Sequence, residues 1–94
     1  MDGYGIERRE VVFSGRVQRV GFRATTRKAF GDRGLSGWVR NEPDGTVTTQ
    51  AQGPSDAIDQ ALETLRTAMA GNIVGERTRT LPADPSASEA FEII

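Results

Sequence analysis

Residues 7–34 read ERREVVFSGRVQRVGFRATTRKAFGDRG, and the change of period inside this stretch decides the fold. Glu7 to Ser14 alternates, with Val11 and Phe13 directed to one face, which predicts a strand half-buried on a core. Gly15 to Gly21 is bounded by glycines and reads as a loop. From Phe22 to Arg33 the spacing turns helical, placing Phe22, Thr26, Ala29 and Phe30 on one side. Gly31 weakens the end of this helix, and Gly34 suits the left-handed position just past it.

Working outward, Leu35 to Arg40 and Thr46 to Gln52 read as two further strands. The segment Asn41-Glu42-Pro43-Asp44-Gly45 between them is a turn: Pro43 presets φ and Gly45 supplies a positive one. The two strands therefore form a hairpin. Pro54 is expected at the first position of a second helix, with Asp56 near its positive end. Ile58, Ala61, Leu62, Leu65 and Met69 form the apolar stripe of that helix, which Gly71-Asn72 ends. Asn72 to Leu81 reads as a fourth strand and Glu89 to Ile94 as a short additional one. The order β-α-β-β-α-β predicts an α+β fold: a two-layer, ferredoxin-like split β-α-β sandwich. One antiparallel sheet would carry both helices on one face, with the short extra C-terminal strand. Residues 1–5 are expected to form a flexible tail and 6–94 a single domain.

Absences narrow the chemistry. The 94 residues include no Cys and no His. Thiolate catalysis, Ser-His-Asp triads and the usual transition-metal sites are excluded. Residues 1–40 hold nine of the twelve Lys and Arg, whereas residues 41–94 hold nine of the thirteen acids. That segregation is either a matter of solvated charges or the sign of an anion site in the first half. Asp56, Asp59 and Glu63 have the spacing of a solvated helix face, and Trp38 reads as core or as the wall of a site, with a cation–π role as the alternative. No apolar run is long enough to span a membrane, and nothing at the N-terminus resembles a signal peptide, so the expected location is cytoplasmic.

A short loop entering a helix aims its N–H groups at one point by the positive end of the dipole, where an anion fits. Arg23, in the first turn, can add a bidentate fork. Read without a family, such a loop is either a simple connection or a phosphate site. Arg23 is correspondingly either a solvated helix residue or a ligand, and Asn41 either a turn residue or part of the site.

Gly15-Arg16-Val17-Gln18-Arg19-Val20-Gly21-Phe22-Arg23 resembles the phosphate-loop signature of the acylphosphatase family. Gly37-Trp38-Val39-Arg40-Asn41, followed by Asp44-Gly45-Thr46-Val47 and Gly53, resembles its second signature, in the family's order and spacing. The resemblance covers nearly the whole chain and implies the same sandwich. It implies a cytoplasmic, monomeric hydrolase of acyl phosphates, releasing a carboxylate and inorganic phosphate without cofactor, metal, nucleic acid or membrane. Arg23 would hold the phosphate, Asn41 would place the attacking water, and the backbone amides of Arg16, Val17, Gln18, Arg19 and Val20 would complete the cradle. The water's proton would pass to the substrate's own phosphate. The family usually has glycine where this chain has Arg19. If that position needs a positive φ, the arginine costs about 1–2 kcal/mol and brings a further positive charge beside the phosphate. Phe13 stands where an aliphatic residue is usual, a change of packing. Two alternatives stay open: a non-catalytic acyl- or carbamoyl-phosphate-binding module, and a sheet-surface RNA binder. The latter is supported only by the basic first half and opposed by the scarcity of aromatics.

Overall fold

The computed structural model describes residues 5–94, so most of the tail expected over residues 1–5 lies outside the described residues. The alternating segment forms β1 (Ile6–Gly15) and the periodic one α1 (Phe22–Gly31). β2 (Ser36–Asn41) and β3 (Val47–Pro54) follow as the expected hairpin, then α2 (Ser55–Ala68), β4 (Ile73–Leu81) and β5 (Phe91–Ile93). The sheet order is β4-β1-β3-β2-β5.

The first four strands pair antiparallel, as the β-α-β-β-α-β order requires. β5 is different. It adds to the free edge of β2 in parallel, with Gly37 opposite Phe91 and Val39 opposite Ile93, so the sheet is mixed. The reason lies in the connection: residues 82–90 carry the chain from the β4 edge, past the end of the sheet, to the β2 edge. Gln52 pins this crossing, donating from Nε2 to Asp84 O at 2.8 Å and accepting from Asp84 N at 2.7 Å.

Both helices cover the same face. α1 packs on β2 and β5, and α2 on β3. Val11, Phe13, Val39, Val47 and Ala51 from the sheet meet Phe22, Phe30, Ile58, Leu62 and Leu65 from the helices. Phe13 is completely buried, and its ring lies 5.1 Å from that of Phe22, tilted by 60°. The aromatic residue at position 13 thus fills core volume and fixes the first turn of α1 against β1.

Boundaries shift by one or two residues from the periodicity, as helix ends commonly do. α1 stops at Gly31, with Arg33 Nη1 donating 3.0 Å back to Ala29 O and Gly34 at φ 71 turning the chain. Pro54 precedes α2 rather than opening it, because its ψ of 137° keeps it extended at the end of β3.

Trp38 is neither core nor site wall. Val39 takes the helix-facing side of β2, so Trp38 falls on the open side of the sheet, half-buried, with the Arg40 guanidinium 4.6 Å above its ring. This is a cation–π pair at a partly solvated place. Arg9 faces the helices instead. It bonds Glu7 at 2.7 Å and reaches Asp59 of α2 at 2.7 Å, which places Asp59 in an ion pair.

Candidate active site

β1, α1 and β2 all bring one end to the same corner of the sandwich. The connection from β1 to α1 is held there by three attachments. Arg16 N–H donates to Asn72 O at 2.9 Å while Asn72 Nδ2 donates to Arg16 O at 2.9 Å, tying the loop to the start of β4. The Val17 side chain is fully buried in the core. Gln18 Nε2 donates to Glu42 O at 2.8 Å and to Thr46 O at 3.0 Å, lashing the loop to the β2–β3 hairpin.

Backbone geometry explains two of the glycines. Gly15 has φ 117, and a Cβ there would overlap Asn72 O, so the exchange with Asn72 needs glycine. Gly21, immediately before α1, has φ 78 and open space where a Cβ would stand. Between them Arg19 has φ 65, so position 19 does demand the left-handed conformation. It is the sole non-glycine residue with positive φ among the described residues.

The hairpin opposite is equally constrained. Glu42 N–H donates to Thr46 O at 2.8 Å and Gly45 N–H to Glu42 O at 3.1 Å. Asp44 Oδ1 accepts from Thr46 N at 3.0 Å and from Thr46 Oγ1 at 2.6 Å. The Thr46 hydroxyl, followed by its N–H, holds the Asp44 carboxyl below the usual carboxylate range. Thr48 and Arg40 do the same for Glu42. These bonds fix the end of β2, where Asn41 sits.

The result is a cleft of about 210 Å³ whose lining includes Val17, Arg19, Phe22, Arg23, Asn41 and Ile93. Arg23 enters from the first turn of α1 and Asn41 from the end of β2. Gln18 and Val20 flank the cleft rather than lining it. The N–H groups of Val17, Gln18, Arg19 and Val20 donate to no described residue, whereas that of Arg16 is committed to Asn72 O. Of the five amides expected to form a cradle, that of Arg16 is thus engaged within the protein. Asn41 Oδ1 is buried and accepts no hydrogen bond from a described residue. Such an orphaned acceptor costs stability unless a donor in the cleft satisfies it. Among the described residues no carboxylate lines the cleft. Among the described residues no group of three or more His, Cys, Asp or Glu could hold a metal ion.

Sequence reasoning assigned Gln18 only a backbone role and did not find Asn72 or Ile93. Asn72 was legible only as a helix stop, and Ile93 enters the cleft because β5 runs parallel to β2. A second concavity, of about 180 Å³, lies on the open side of the sheet among Arg8, Trp38, Gln50 and Asp84. Arg8 Nη2 there is bonded to Gln50 Oε1 at 2.8 Å.

Residues 9–93 match the acylphosphatase family model. The chain is 43% identical over 84 residues to an acylphosphatase from Salinibacter ruber, covering 84% of this chain and 80% of the relative. It is 36% identical over 89 residues to one from Chlorobaculum tepidum, covering 94% and 96%. Among solved structures, the acylphosphatase from Bacillus subtilis superposes with a TM-score of 0.85 at 27% identity, over 94% of this chain and 98% of that one.

Proposed function

Since the chain belongs to the acylphosphatase family and is a hydrolase of acyl phosphates, we propose that the cleft at Arg23 and Asn41 is where the carboxyl–phosphate bond is broken. The observation that carries this reading is convergence. Two side chains from separate elements meet in one cleft beside four loop N–H groups that have no partner among the described residues.

In this reading the guanidinium of Arg23 and the amides of Val17–Val20 hold the phosphoryl oxygens, aided by the positive end of α1. Asn41 Oδ1, an acceptor without a described partner, takes a hydrogen bond from a water and aims its oxygen at phosphorus. The water oxygen bonds to phosphorus as the bond to the acyl oxygen breaks. The acyl group leaves as a carboxylate, and the water's proton passes to a phosphoryl oxygen of the substrate. A carboxylate is already a good leaving group, so no strong general acid is required. The tasks left to the site are to hold the charged phosphoryl group and to place the water in line, and no metal takes part.

The test is hydrolysis of benzoyl phosphate in excess EDTA. Arg23→Ala should abolish both turnover and binding of inorganic phosphate. Asn41→Ala should lower kcat sharply while phosphate still binds, because it loses the water and keeps the anion site. Retention of turnover and phosphate binding by Arg23→Ala would sink the assignment, as would activity that disappears with EDTA.

A further inference from the structure

Arg19 presents a contradiction that the reaction as described leaves open. Its backbone sits at φ 65, in the left-handed region that is strained for an L-residue. The loop is held on either side, by the Gln18 tether and by Val20 packed against the core, so the fold imposes this conformation. The Arg19 side chain recovers nothing from the protein: it is exposed and makes no hydrogen bond or ion pair with any described residue. Arg9, Arg40, Arg66 and Arg79 each rest on a carboxylate. Arg19 instead lines the cleft that Arg23 enters, and no carboxylate of the described residues shares that lining. Strain retained by an unengaged side chain that lines a cleft is where function is to be sought.

We propose that the Arg19 side chain is a second phosphate-binding cation, bracketing with Arg23 the phosphoryl group of substrate and product alike. The proposal rests on the reading of this cleft as the phosphate site. A dianionic phosphoryl group then faces two guanidiniums rather than one. In a loose transition state the charge on the equatorial oxygens persists through the reaction instead of being created by it. A cation placed on those oxygens therefore binds substrate, transition state and product about equally. It lowers KM, strengthens competitive inhibition by inorganic phosphate and leaves kcat unchanged.

The experiment compares wild type, Arg19→Ala and Arg19→Gly in hydrolysis of benzoyl phosphate, with inorganic phosphate as inhibitor, at low ionic strength. Arg19→Ala retains the backbone strain and removes the charge. It should raise KM and the phosphate inhibition constant together, about five- to tenfold, with kcat within a factor of two. The difference should shrink near 1 M salt, where screening acts over about 3 Å. Arg19→Gly should show the same weakening of binding together with a higher midpoint of thermal unfolding. Unchanged KM and inhibition constant in Arg19→Ala would overturn the proposal. So would a fall in kcat with the inhibition constant unmoved, which would put Arg19 on the leaving carboxylate. Arg23→Ala, measured alongside, separates the two levels. If it loses binding while Arg19→Ala is silent, the site stands and the second cation falls. If it keeps phosphate binding and turnover, the site itself is misplaced.

Discussion

Replacing Gln18 with alanine tests whether the loop and the hairpin must be fastened together for Asn41 to work. The side chain makes two hydrogen bonds, of 2.8 and 3.0 Å, from one half-buried amide nitrogen to Glu42 O and Thr46 O. Neither carbonyl is orphaned by the change, because Glu42 O still accepts from Gly45 N–H and Thr46 O from Glu42 N–H. The loss of stability is therefore that of the bonds alone, about 1–2 kcal/mol, or roughly 5–10 °C in midpoint for a domain of this size. The effect on rate is larger. Without the tether, the loop amides and Asn41 keep their relative place only through the core beneath them. A misplacement of about 1 Å costs on the order of a hundredfold, so kcat should fall about ten- to a hundredfold, with a smaller change in KM because Arg23 belongs to α1. Urea unfolding and benzoyl phosphate kinetics on the same preparation read both quantities. A variant that loses the stated stability yet keeps kcat within a factor of two would refute the reasoning and leave Gln18 a structural tie only.

Two further predictions concern the frame around the site. The Arg9 guanidinium, through its hydrogen bond, holds the Glu7 carboxyl below the usual carboxylate range. The stability this provides is present above the unfolded value of about 4.3 and is lost as pH falls through the lowered folded value. Glu7→Gln should therefore cost roughly 1 kcal/mol at pH 7 and progressively less in acid; an equal cost at pH 7 and pH 3 in urea titrations would contradict the pairing. Gly15→Ala should destabilise by more than about 3 kcal/mol, because its Cβ has Asn72 O in the way. Gly21→Ala, with positive φ but no atom within 4 Å of its Cβ, should cost only about 1–2 kcal/mol; comparable losses in thermal unfolding would mean that the close approach at Gly15 relaxes cheaply.

What the sequence revealed depended on how local each cause is. Alternation at Val11 and Phe13 and the helical spacing of Ile58, Leu62 and Leu65 are local, and they place these residues in the core as found. Arg23 and Asn41 were nameable because each stands inside a signature of the family; position alone, in the first turn of a helix and at the start of a turn, left each open as a solvated or turn residue. Trp38 was misread because it adjoins Val39: two apolar neighbours on a strand must face opposite ways, and only the packing of α1 decides which is buried. The committed N–H of Arg16 and the Gln18 tether depend on partners 56 and 24–28 residues away. The parallel direction of β5 follows from the path of residues 82–90, which carry no periodicity to read.

The position of β1 inside the sheet, between β4 and β3, has a consequence for how the molecule is made. Within this domain β1 is made well before either of its neighbours: it pairs Ile6 with Pro54 on one side and Arg8 with Leu81 on the other. At roughly 5–20 residues per second of synthesis, β1 waits several seconds with both ladders unformed. Joining ends so far apart in the chain is entropically slow, which places this topology among the slower folders of its size. The loop from β1 to α1 shares that delay, because Arg16 can exchange hydrogen bonds with Asn72 only once the start of β4 has arrived. Turnover during refolding therefore reports the completed chain, and should lag behind any signal from the β2–β3 hairpin, whose two strands are neighbours in sequence.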